Sequence, residues 1–336
     1  MKPLFLGLAG EQLSADERAL FADAQPAGYI LFRRNIADRA QLRRLTDDLR
    51  ALSGRDDLPV LIDQEGGRVA RMQPPEWPEF PSGALFDALY DKAPVTAIEA
   101  VRANARAIAT VLSECGITVD CLPLLDVRQP GAHDIIGDRA FGSEPLRVAA
   151  LGRAAIEGLR DGGVVGVIKH IPGHGRALAD SHVELPVVDV SDEELEIDLA
   201  PFIRLKDAPM AMTAHVVYAA WDLDNCATLS ACVVRHVIRG RIGFDGLLMS
   251  DDLGMHALKG DFGVRARRAL QAGCDIALHC SGDLTEMKAC VAGVGEIGEA
   301  ARARLDRAMA TIADRPKLPS LAELLAARDE LIAAAG

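Results

Sequence analysis

Five short stretches of the chain concentrate residues able to do chemistry. They are Asp63-Gln-Glu-Gly-Gly-Arg68-Val-Ala-Arg71, Gly137-Asp-Arg139, Lys169-His170-Ile-Pro-Gly-His174-Gly175 running on to Asp180-Ser-His182, Thr213-Ala-His215 and Ser250-Asp251-Asp252. This mixture of carboxylates, guanidiniums, a lysine and imidazoles suits a neutral ligand rich in hydroxyls, which such groups hold by directional hydrogen bonds. Asp63, Arg71, Arg139, Lys169 and His170 supply that set. Breaking a glycosidic bond asks in addition for a proton donor to the leaving oxygen and a carboxylate under the oxocarbenium-like carbon. Asp251 could be the carboxylate. His182 could be the donor, with Asp180 two residues before it to orient the imidazole and favour its protonated form.

Plainer roles stand beside these. Asp63 could cap a helix with Arg68 or Arg71 as a surface partner, and one of Asp251 and Asp252 could cap the helix that follows. Lys169 and His170 could form a structural ion-pair site, although burying both is costly without carboxylate partners. Gly66-Gly67 lacks the strand–Gly-x-Gly-x-x-Gly–helix setting of a dinucleotide site. His170 and His174 stand at i, i+4, but Pro172-Gly173 between them interrupts the helix that zinc ligands at this spacing need. His215, His236, His256 and His279 read as structural, with His215 the best exception because it ends a strand. Gly173, Gly175, Ala177 and Ala179 read as a mobile loop carrying Asp180 and His182 over the site.

The elements that must position these residues are readable as repeats of strand and helix. Apolar runs at 4–9, 29–32, 59–62, 118–123, 164–169, 210–214, 247–250 and 274–278 are mostly continuous, the pattern of strands covered on both faces. Ser14-x-x-Glu17 and Ser191-x-x-Glu194 are capping boxes, and Gly54, Gly116 and Gly163 fall where helices should end. Eight such units predict an α/β protein, a closed (β/α)8 barrel rather than an open doubly wound sheet, whose site is built at the C-terminal ends of the strands. All five reactive stretches fall at predicted strand ends or in the loops after them. The 74–81 stretch reads as a long loop. Residues 299–315 and 321–335 read as terminal helices packed outside a single catalytic domain spanning 1–336.

The chain has 336 residues, 37 Lys+Arg against 49 Asp+Glu, and a net charge of −12. That acidity argues against binding nucleic acid, which needs a basic face to replace counterions, and against adsorption to an anionic membrane. No charge-free stretch reaches the ~18–20 residues of a spanning helix. The N-terminus is too short in apolar residues for a secretion signal, so the expected location is the cytoplasm. Seven cysteines without a Cys-x-x-Cys pair read as reduced core thiols.

The stretch from Lys169 to His182 resembles the signature of family 3 glycoside hydrolases, in particular the bacterial β-N-acetylhexosaminidase branch. The other four motifs match in order and approximate spacing, and the likeness covers residues 4–312. It implies a retaining enzyme without metal or organic cofactor. Asp251 would form a covalent glycosyl-enzyme, and His182, paired with Asp180, would be the acid/base. Asp63, Arg71, Arg139, Lys169 and His170 would grip a terminal N-acetylglucosamine ring. Ile171 and Gly254 stand where relatives often have Phe and Ser. The role it implies is removal of β-linked N-acetylglucosamine from muropeptide fragments during peptidoglycan recycling, by a monomer whose partner is that small carbohydrate. Three other readings remain open: a phosphorylase on the same fold, a metal-dependent hydrolase using His170, His174 and Asp251, and a non-catalytic sugar-binding module.

Overall fold

The computed structural model describes residues 1–179, 184–314 and 316–334. Eight parallel strands close into a barrel: β1 Lys2–Gly7, β2 Pro26–Leu31, β3 Val60–Ile62, β4 Val119–Asp120, β5 Val165–Ile171, β6 Met210–Thr213, β7 Leu247–Asp252 and β8 Ile276–His279. Each pairs with its neighbours in chain order, and β1 closes on β8 with Leu4 opposite Ala277. Every predicted strand is present, shifted by a few residues at its ends. Thr118–Pro123 shortens most because Leu122-Pro123 lacks the N–H a further ladder bond requires.

Around the barrel run α1 Ala15–Ala24, α2 Arg39–Ser53, α3 Gly83–Lys92, α4 Pro94–Glu114, α5 Pro145–Asp161, α6 Glu196–Arg204, α7 Phe262–Ala272 and α8 Leu284–Gly293. A π-helical segment, Val233–Ile242, fills the place between β6 and β7. Ser14 and Glu17 form the predicted capping box at the start of α1. Ser191 and Glu194 make the same reciprocal bonds but close a turn ahead of α6, which begins two residues later. Gly54 ends α2 at a positive φ that a β-carbon would disfavour.

Two layers of apolar contact hold the assembly. Helices pack on the outward residues of the strands, while alternate residues fill the interior: Val165 and Val167, Met210 and Met212, Leu247 and Met249, Ile276 and Leu278. A strand's side chains repeat every second residue, so the next inward positions at the C-terminal mouth are Lys169 after Val167, Asp251 after Met249 and Asp63 after Leu61. Alternation thus carries three charged groups to the top of an otherwise apolar barrel. At the opposite end lies α9 Glu299–Ala310, whose Leu305, Ala308 and Met309 join the interior cluster. Helix α10, Leu321–Ala334, packs on α4. Cys232 is exposed, unlike the other six cysteines, which are buried. Among the described residues no helix is long and apolar enough to cross a membrane.

Candidate active site

A cavity of about 270 Å³ opens at the C-terminal mouth of the barrel, and Asp63, Arg71, Arg139, Lys169, His170 and Asp251 all line it. Six residues singled out from the sequence therefore meet in one place. Asp180 and His182 lie outside the described residues.

Lys169 is buried on β5, and its Nζ stands 3.0 Å from Asp63 Oδ1 and 2.6 Å from Glu65 Oε1. Arg139 holds Glu65 through two parallel bonds of 2.9 and 2.8 Å, and Arg71 reaches Asp63 Oδ2 at 3.1 Å. Burial alone would raise the pKa of both carboxyls, but the flanking cations outweigh it and hold them ionised, well below the usual range. Burial would likewise lower Lys169, and the two carboxylates instead raise it. The five groups form one compensated network, which is how the barrel tolerates a buried lysine. Arg71 and Arg34 also stack against Phe32, 5.2 and 4.9 Å from its ring centre. Arg68 binds Asp138 on the exposed rim at 2.7 Å.

His170 is fixed by a residue the sequence reading did not single out. Asp126, fully buried after β4, places Oδ2 2.7 Å from His170 Nδ1 and accepts the backbone N–H groups of His170 and His174 on Oδ1. Burial would raise its carboxyl, but His170 and these donors bring it to about 2. That arrangement selects Nδ1–H on His170 and leaves its Nε2 edge for a ligand. His174, also on the cavity wall, is brought down to about 4 by burial and by His170 beside it, so it is neutral at neutral pH. The two rings meet edge on, with centroids 5.6 Å apart. Among the described residues no three His, Cys, Asp or Glu side chains are grouped to hold a metal ion.

Asp251 ends the inward row of β7. One of its oxygens accepts the N–H of Asp252 at 2.8 Å, and among the described residues the other oxygen has no hydrogen bond. Burial pushes its pKa up, but His215, His170, the Asp252 N–H and Lys169 together hold it below the usual carboxylate value. Among the described residues, Asp63 is tied to two cations, whereas Asp251 has an oxygen without a partner. Asp252 does not cap a helix: its Oδ1 accepts from Gly254 and Cys280, tying the end of β7 to the residue after β8. The helix that follows is capped by Asp261.

The segment 173–177 corrects the expectation of a loose loop. A β-carbon on Gly175 would meet the Val127 carbonyl oxygen at 1.9 Å, so glycine is there for close backbone approach rather than mobility. Gly175 and Ala177 carbonyls accept the N–H groups of Gln129 and His133, and Arg176 binds Asp198 at 2.5 Å. The chain leading to Asp180 is thus anchored.

Glu65 and Asp126 are the residues the sequence reading missed. Glu65 lay inside a quoted motif, and Asp126 was a single carboxylate in the run Leu124-Leu-Asp-Val127 following a predicted strand. A lone charge in apolar sequence at a strand end was the signal.

A closed parallel barrel with a charged, sugar-sized cavity at its C-terminal mouth is the architecture of an enzyme. Residues 5–314 match the glycosyl hydrolase family 3 N terminal domain. The chain belongs to glycosyl hydrolase family 3 and is a glycosidase. A β-hexosaminidase of Alkalilimnicola ehrlichii is 42% identical over 284 residues, 83% of this chain and 80% of that protein. One from Aromatoleum aromaticum is 38% identical over 284 residues, 83% of this chain and 79% of that protein. Among solved structures, NagZ from Neisseria gonorrhoeae aligns over 100% of this chain and 98% of its own, at 33% identity and a TM-score of 0.86. The same protein in complex with N-trifluoroacetyl-D-glucosamine aligns over the same shares at 32% identity and a TM-score of 0.86.

Proposed function

We propose that this β-N-acetylhexosaminidase is a retaining, exo-acting β-N-acetylglucosaminidase with Asp251 as its nucleophile. The observation that carries the reading is the contrast at the cavity: among the described residues Asp63 is committed to Lys169 and Arg71, while ionised Asp251 has one hydrogen bond, from the Asp252 N–H, and an oxygen without one. A space of about 270 Å³ fits one pyranose ring and lies just below the ~300–1,000 Å³ typical of ligand pockets, which favours removal of a terminal sugar over cleavage within a chain.

In this reading Asp63, Arg71, Arg139, Lys169 and His170 orient the ring through its hydroxyls. Asp63 and Arg71 meet it directly, and Arg139 acts partly by holding Glu65 against Lys169. Asp251 attacks the anomeric carbon as His182, paired with Asp180, gives its proton to the departing oxygen. Water then adds to the same carbon, losing a proton to His182, and the bond to Asp251 breaks with its electron pair returning to the carboxylate. Two displacements on one carbon retain the β configuration. The natural substrate in this reading is a muropeptide fragment bearing terminal N-acetylglucosamine, handled in the cytoplasm by a monomer with one catalytic domain.

Incubation with 4-nitrophenyl N-acetyl-β-glucosaminide and with the matching glucoside, followed by NMR of the first-formed anomer, tests this. The β anomer and a strong preference for the acetamido sugar are expected. A first-formed α anomer would overturn the covalent mechanism, and sugar 1-phosphate formed in phosphate buffer would make the enzyme a phosphorylase.

A further inference from the structure

His215 stands directly after β6, fully buried, with both ring nitrogens engaged. Nε2 lies 2.9 Å from the backbone carbonyl of Asp252. A carbonyl has no proton to give, so Nε2 carries one. Nδ1 lies 2.7 Å from the hydroxyl of Thr228, which in turn sits 3.2 Å from the carbonyl of Ala214 and 2.7 Å from the hydroxyl of Thr213. Thr228 has a single proton. If that proton goes to Ala214, the only bond Thr228 can offer Nδ1 is an acceptor's, and Nδ1 carries a proton as well. In that arrangement every polar atom of the group is satisfied, with Thr213 donating to Thr228.

We propose that His215 is an imidazolium at neutral pH that acts through Asp251 as a positioning residue, favouring the second half of the reaction, in which the sugar leaves that carboxylate. This rests on the reading of Asp251 as nucleophile. Through Nε2 the ring holds the backbone of Asp252, whose N–H is bonded to Asp251. The groups facing it are Asp251 and the Asp252 carbonyl from β7 and the Cys226 sulfur from the loop after β6. Burial would push the ring's pKa down, but Cys226, Asp251 and the Asp252 carbonyl outweigh it and bring it to about 9.

The consequence differs between the two steps. In the free enzyme Asp251 is an anion beside a cation, stabilised and so a slightly weaker nucleophile. In the glycosyl-enzyme it is a neutral ester. When water adds to the anomeric carbon and gives its proton to His182, the carbon–oxygen bond to Asp251 breaks and the electron pair returns to a carboxylate that His215 stabilises. The imidazolium therefore lowers the barrier of the second step and does not help the first.

His215→Gln keeps a donor for the Asp252 carbonyl and removes the charge. On 4-nitrophenyl N-acetyl-β-glucosaminide, whose good leaving group makes the second step limit turnover, kcat should fall about tenfold and KM should fall with it. A burst of nitrophenol should appear as the glycosyl-enzyme accumulates. Equal losses in kcat and kcat/KM without a burst would overturn the proposal, as would unchanged kinetics. Nitrogen-15 NMR of histidine-labelled wild-type enzyme at about pH 7 reads the charge directly and needs no variant. Two protonated ring nitrogens on His215 are expected, and a neutral ring overturns the proposal. A fluorinated-sugar label on Asp251 with a neutral His215 would remove this inference alone. A label on another carboxylate would remove the nucleophile assignment and this inference with it.

Discussion

Lys169 Nζ and Glu65 Oε1 lie 2.6 Å apart with both side chains almost wholly buried, and Arg139 grips the same carboxylate from its other side. The pair is the keystone of a network in which each charge is tolerable because of the others. Lys169→Met takes from Asp63 and Glu65 the cation they share, leaving Asp63 with Arg71 alone and Glu65 with Arg139 alone in the barrel mouth. We expect it to cost about 3–5 kcal/mol of stability, the range for breaking a buried pair from one side. Adding Glu65→Gln to Lys169→Met also strips the buried Arg139 of its carboxylate and should lower the thermal midpoint further. Equal midpoints for the single variant and wild type would show that the network does not support the fold.

Asp126 sets the tautomer and direction of His170 through a 2.7 Å bond. Asp126→Asn keeps the size and loses the charge. A hydrogen bond to a charged group is worth ~1.5–3 kcal/mol, so kcat/KM should fall about 10–100-fold. Steady-state kinetics beside circular dichroism separates this from unfolding, and unchanged kcat/KM in a folded variant would remove Asp126 from the account.

The buried carboxylates also set the acid limit of the fold. Asp126 is held at about 2 by His170 and backbone donors against burial, compared with ~3.9 in an unfolded chain. Asp63 and Glu65 are depressed in the same direction. A carboxylate with a lowered folded pKa adds stability that is fully present above its unfolded value and lost as pH falls through the folded one. Stability should therefore drop steeply below about pH 4. Denaturant unfolding across that window should show a shallower slope for Asp126→Asn, whose side chain no longer titrates.

His182, proposed as acid/base, makes a prediction about leaving groups. His182→Ala should reduce turnover of substrates with sugar or alkyl leaving groups far more than that of nitrophenyl glycosides, which need little protonation. Equal losses across a leaving-group series would point to a role in binding.

Much of this arrangement was readable in the sequence because the barrel's geometry is periodic. The steps Leu61 to Asp63, Val167 to Lys169 and Met249 to Asp251 are two residues each, and that spacing puts all three on the inner face where the apolar layer ends. What the spacing could not show is which charges meet across strands. Glu65 follows β3 in a hairpin with Val69–Ala70 and reaches Lys169 of β5 and Arg139 of a distant loop. Asp126 meets His170 across 44 residues of chain. Such pairings depend on register and closure, which local pattern does not encode. The small residues after His170 misled for a related reason: Gly175 looks like flexibility in one dimension and is close packing against Val127 in three.

The mechanism turns on the bond between Asp251 and the sugar. Trapping the enzyme with a fluorinated N-acetylglucosaminide inactivator, then locating the label by peptide mass spectrometry, tests it most directly. The label should sit on Asp251, in the peptide that also carries Ser250 and Asp252, and Asp251→Asn should neither take the label nor turn over substrate. An inactivated enzyme labelled on a different carboxylate, or an Asp251→Asn variant that retains substantial turnover, would contradict the account.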